Sequence, residues 1–178
     1  MKPYIVFILF LMVSFTGCDN SDMTVDDGSS DGVLMPTQDV NNDVFSFFEN
    51  ELPATAGAPF YDSMIPFVFD GDERDQCVII NSKKDLEKVY TGKMSLPNID
   101  FTHCTLVIAR NFVSAGMFKD YMTINKIGNN TAVLNVYCKM GKGTYVAVMV
   151  YLYSWCVFPK FEASRVIIKK YVDGQKYL

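Results

Sequence analysis

The run at 145–155 is apolar on both of its alternations, and this constrains the fold more than any other stretch. Val146, Val148, Val150 and Leu152 share one parity; Tyr145, Ala147, Met149, Tyr151, Tyr153 and Trp155 share the other. Successive side chains of a strand point to opposite faces of its sheet, so such a strand needs cover on both faces. The spacing predicts a central strand with packed layers above and below. The run at 131–140 differs, because apolar Ala132, Leu134, Val136, Cys138 and Met140 alternate with positions that include Asn135 and Lys139. That pattern predicts one buried and one wet face.

Strands are predicted near 104–111, 120–127, 131–140, 144–156 and 164–172, separated by turn chemistry such as Gly128-Asn129-Asn130 and Gly141-Lys142-Gly143. Apolar runs at 65–69 and 77–80 flank Asp70-Gly71-Asp72, which predicts a further hairpin. Helices are expected in two places. One covers 43–52, where Val44, Phe45, Phe47, Phe48 and Leu52 follow an Asn/Asp cap and stop at Pro53. The other starts at the cap-like Ser82-Lys83-Lys84-Asp85, runs to about Tyr90, and is stopped by Gly92. The expected fold class is α+β, mainly β: an antiparallel meander or sandwich-like sheet with one or two short helices.

The first residues carry a different signal. Lys2 precedes an apolar run at 4–13, followed by the smaller or polar Ser14, Thr16 and Gly17 and then Cys18. That is the layout of an export signal peptide, and the run is about half the roughly 20 residues a spanning helix needs. Phe15-Thr16-Gly17-Cys18 resembles the lipobox of bacterial lipoproteins, with Phe15 in place of the usual leucine. The resemblance implies cleavage before Cys18, lipidation of its thiol, and acyl chains (palmitate among them) that hold the mature N-terminus in a membrane.

Composition matters most behind that cysteine. From Asp19 through Asp75 there are 14 acidic residues and one basic residue, a net of −13; from Gln76 to Leu178 there are 14 basic and 6 acidic residues, a net of +8. Residues 19–42 hold six aspartates among Ser, Gly, Asn and Thr with few large apolar groups, which reads as a disordered acidic tether. Three segments follow: 1–17 signal peptide, 18–42 lipidated cysteine and tether, 43–178 one globular domain. An acidic stretch close behind a lipidated cysteine also resembles a surface-display signal of some Gram-negative phyla. The expected location is the bacterial outer membrane, facing either the cell surface or the periplasm.

Cys77, Cys104, Cys138 and Cys156 remain. In an oxidising compartment an even set suggests disulfides of undetermined connectivity; in apolar strand-like runs it equally suggests buried free thiols. Their spacing fits no zinc pattern, and His103 is the sole histidine. Without a second base or a Gly-x-Ser-x-Gly segment there is no hydrolase constellation, and His103 and Cys104, as strand neighbours, point apart. Asp70, Asp72, Glu73 and Asp75 crowd one turn but lack the spacing of a twelve-residue calcium loop. No catalytic residue, metal or cofactor is expected. With no phosphate-cradling loop and an exported chain, neither is nucleic acid.

Ile79-Ile80-Asn81-Ser82 with its helix, then Leu96-Pro97-Asn98-Ile99-Asp100-Phe101 leading into Thr105-Leu106-Val107-Ile108-Ala109, resembles the C-terminal domain of the protease-complex subunit PrcB and similar bacterial lipoprotein domains. The match spans about 77–170. Where that family carries a Gly-Gly-aromatic segment, this chain has Ser114-Ala115-Gly116-Met117-Phe118. The resemblance implies a non-catalytic accessory domain with a protein partner in an envelope or protease complex. The residues themselves suggest a second class, an anionic-glycan or polyanion module, with Tyr151, Tyr153, Trp155, Lys139 and Lys142 as the candidate ligand face.

Overall fold

The computed structural model describes residues 33–35, 38–52, 65–71, 73–127, 129–143 and 147–177. Along them run β1 (Val33–Met35), α1 (Asn42–Glu51), β2 (Gln76–Ile80), α2 (Lys83–Val89), β3 (Cys104–Ser114), β4 (Met117–Ile127), β5 (Thr131–Met140), β6 (Met149–Pro159), β7 (Arg165–Val172) and β8 (Gln175–Tyr177). The strands form a five-stranded sheet in the order β1-β4-β5-β7-β8 and a three-stranded sheet in the order β2-β3-β6. The fold is α+β and mainly β, as the strand patterns imply.

Parity on β3 explains the layering. Val107, Ala109 and Val113 point into a core shared with Met122 and Ile124 of β4 and Leu134 and Val136 of β5, between the sheets. Leu106 and Ile108 point the other way, into a second core with Val44, Phe47 and Phe48 of α1 and Leu86 of α2. The molecule thus has three layers: sheet, sheet, helices. α1 forms because Asn41 caps it, its side-chain oxygen accepting from the Val44 N–H at 2.9 Å, and because Val44, Phe47 and Phe48 fall on one face. Ser82 caps α2 in the same way, accepting from the Asp85 N–H at 3.1 Å. No helix among the described residues is long and apolar enough to cross a membrane.

Several expectations are corrected. β6 is covered on both faces, with Val150, Leu152 and Phe158 between the sheets and Tyr153, Trp155 and Val157 under the helices. Yet it lies at an edge of its sheet, and the central strand is β3. Two covered faces require two neighbouring layers, not two neighbouring strands. The simple meander survives only in part: β3 turns at Ala115-Gly116 into the other sheet, β6 returns to pair with β3, and β7 comes back parallel to β5. The hairpin expected around Asp70 does not form. β2 pairs with the long strand β3, and of the 65–69 run only Phe67 makes a bridge, to Tyr90. Gly71, at φ +100°, turns the chain there, but Gln76 Nε2 closes the loop by donating to the Asp70 and Gly71 carbonyls.

Gly92 does not terminate α2, which has already ended at Val89; it makes room for Tyr90, whose Oη a Cβ at that position would overlap. Within the stretch read as tether, the apolar triplet Val33–Met35 pairs with β4, so that part belongs to the sheet. Residues 1–32, with Cys18, lie outside the described residues.

Candidate functional site

A cleft of about 500 Å³ lies between the two sheets. Cys77 and Ile79 of β2 form one wall; Val166 and Ile168 of β7, with Ala163 and Ser164 before it, form the other. Asp70, Glu73 and Asp75 stand at one end. β2 pairs with β3 on one side only, and no strand among the described residues occupies its other edge. β8 covers β7 only at Lys170–Val172, so the first part of β7 also keeps an open edge.

The acidic end is held rigidly. Lys170 falls on the inward parity of β7 with Val166 and Ile168, which carries its charge between the sheets, and its side chain is 11% exposed. Its ammonium donates to both Asp75 carboxylate oxygens, at 3.0 and 2.9 Å, and to the Phe112 carbonyl at 2.7 Å. Asp75 also accepts from the Phe112 N–H at 2.8 Å. An inward lysine without such partners would carry a large desolvation penalty. Beside it Arg110 donates to Gln76 Oε1 at 2.7 Å and to the Glu73 carbonyl at 3.2 Å, its guanidinium lying over Phe69 and Tyr151. Asp70 and Glu73 make no ion pair among the described residues.

The thiol in the cleft is not poised as a nucleophile. Burial pushes the Cys77 thiol up to about 12, so it stays protonated at neutral pH, and thiolate is the reactive form. All four cysteines are free. Cys77 and Cys156 flank β3 from opposite sides, at least two strand spacings or about 9.6 Å apart, beyond disulfide reach. His103 is exposed and pairs with Asp100 at 2.7 Å, while Cys104 is buried and donates to the Asp100 carbonyl at 2.9 Å. Among the described residues no three His, Cys, Asp or Glu side chains gather as metal ligands.

The ligand face read from the sequence is not one surface. Trp155, 8% exposed, stacks on Phe48 of α1 at 4.6 Å, and Tyr153, 4% exposed, packs beside Phe69. Tyr151 is half-buried beneath Arg110. Lys139 sits on the far side of the five-stranded sheet, bound to Asp120 at 2.8 Å; that hydrogen bond raises its pKa. Lys142 follows in the loop after β5. Of the residues that line the cleft or brace its acidic end, Asp75 was noted in the sequence only as part of a crowded acidic turn, and Gln76, Arg110 and Ser164 were not singled out. The one available signal was the inward parity of Lys170, which demands an acidic partner without naming it.

Comparison of the chain with protein-family models, with curated proteins and with solved structures finds no match.

Proposed function

We propose that this chain is a lipid-anchored extracytoplasmic protein of the bacterial outer membrane whose domain is a non-catalytic accessory or protein-interaction module. The observation that carries the reading is the edge of β2 along the cleft, which no strand among the described residues pairs with. A free strand edge is a template for another chain unless proline, lysine or a bulge blunts it. Gln76-Cys77-Val78-Ile79-Ile80 has no such residue, and its pairing with β3 runs without a register shift. The lipobox-like Phe15-Thr16-Gly17-Cys18 supports the anchor, and the resemblance of 77–170 to the PrcB C-terminal domain supports an assembly role. The anionic-glycan reading has less support, because Trp155 lies under α1, Tyr153 is buried beside Phe69, Tyr151 is covered by Arg110 and Lys139 is engaged by Asp120.

A photo-crosslinking residue at Ser164, which lines the cleft, tests the interaction in cells, with the same residue at Tyr121 on the far face of the other sheet as control. A discrete heavier adduct from Ser164 alone is expected; its absence, or identical adducts from both positions, would count against the module. The anchor is tested by labelling with a palmitate analogue. Cys18→Ala should abolish the label, and equal label in both proteins would rule the anchor out.

A further inference from the structure

We propose that the cleft binds an extended peptide segment as an added strand on β2, with apolar residues at alternate positions and a lysine or arginine at the end nearest Asp70 and Glu73. The proposal rests on the interaction reading above and specifies its ligand. β2 spans five residues, about 17 Å at the strand rise, and a strand added beside it would lie about 4.8 Å away. That strand would extend the three-stranded sheet beyond β2, with one face turned toward the open first part of β7. Main-chain hydrogen bonds would supply affinity, and pockets for alternate side chains would supply specificity.

The walls say what those side chains are. Cys77, Ile79, Val166 and Ile168 offer only apolar contact to one face of the added strand. At the acidic end, charge decides the rest. The nearby cations are already engaged: Lys170 with Asp75 and Phe112, Arg110 with Gln76 and two rings, Arg74 over Phe112. Asp70 and Glu73 are left without a counterion among the described residues, and Asp75 is already paired. A cation on the peptide therefore meets carboxylates free to accept it, whereas an anion meets their repulsion.

The full chain in detergent micelles is titrated against fluorescein-labelled hexapeptides of alternating valine and serine, read by anisotropy. Arginine is placed at the first position in one peptide and at the last in another, because the direction of pairing is open. Saturable binding of one arginine peptide is expected, with the matching glutamate peptide about tenfold or more weaker, the factor that 1.4 kcal/mol represents. The same arginine peptide N-methylated at alternate backbone nitrogens should not bind if its methyls fall on the paired edge, so both methylation registers are made and one should fail. The double variant Asp70→Asn, Glu73→Gln leaves the Lys170 contacts alone and should weaken the arginine peptide about tenfold while strengthening the glutamate peptide, so that the two bind alike. Equal binding of arginine and glutamate peptides by the unsubstituted chain, or of both N-methylated registers, would overturn the proposal. So would a dimer of this chain, seen by sedimentation, that is lost on blocking β2. If no peptide binds while the Ser164 crosslink still yields its adduct, this ligand is wrong and the interaction module stands; if both fail, both fall.

Discussion

Thr105 is fully buried at the start of β3, and its hydroxyl reaches Asn81 Oδ1 at 2.6 Å and the Phe161 carbonyl at 3.1 Å while accepting from the Phe161 N–H at 3.0 Å. One hydroxyl thus pins the chain between β6 and β7 to the three-stranded sheet. Thr105→Val keeps the shape and strands those groups away from water, which should cost about 1–3 kcal/mol. A lower urea midpoint with an unchanged slope would show it. Asp100 answers to pH instead. Bonds from the Thr102 hydroxyl, His103 and the Thr102 N–H, in that order, hold its carboxyl at about 2, below the ordinary 3.8. A lowered carboxylate pKa contributes stability above the unfolded value and loses it as pH falls through the folded one. The amide signals of Thr102 and Cys104 should therefore hold their folded shifts down to pH 4 and move between pH 4 and 2. In Asp100→Asn they should no longer titrate there.

α1 acts as the lid of the second core. Phe48 is fully buried, stacking on Trp155 at 4.6 Å and on Phe67 at 6.1 Å, with Phe47 edge-on at 5.1 Å. Phe48→Ala removes a large side chain from a packed site and should cost about 3–5 kcal/mol, mostly as a cavity that neighbouring rings cannot fill. Because Trp155 is the only tryptophan, its emission should shift to the red in the variant and report directly on the loosened lid. Amphipathic spacing and an Asn cap made α1 legible, as Ser82 made α2 legible. Both signals are local. Pairing between strands was not legible, because β7 meets β5 across a long excursion through β6, and nothing in either run specifies a parallel partner. β8 also escaped, although Asp173 and Gly174, at φ +49° and +80°, are the turn chemistry that two-residue hairpins require.

At the scale of the whole molecule, no disulfide links the layers among the described residues. Cys77, Cys138 and Cys156 pack against or within the core between the sheets and Cys104 within the helix-side core, all as free thiols. Four alkylations at these positions are expected in denaturant without reductant, with slow labelling in the folded state and a melting curve that ignores reductant. Burial raises Cys77 to about 12 and Cys138 to about 11, so the folded state holds protons that the unfolded state gives up above pH 9. Stability should then decline from pH 9 toward those values. By itself the sequence determined the strand-rich class, the two capped helices, and the need for layers on both sides of the 145–155 run. Those follow from side-chain alternation and caps, which act over a few residues. The tertiary structure alone decided that β6 is an edge strand, that Trp155 lies under α1 while Tyr151 lies beneath Arg110, and that among the described residues β2 and β7 leave open edges facing a cleft. Each of these depends on which distant segment arrives beside which, and that is settled by the joint packing of three layers, because no single run of residues carries its neighbour's address.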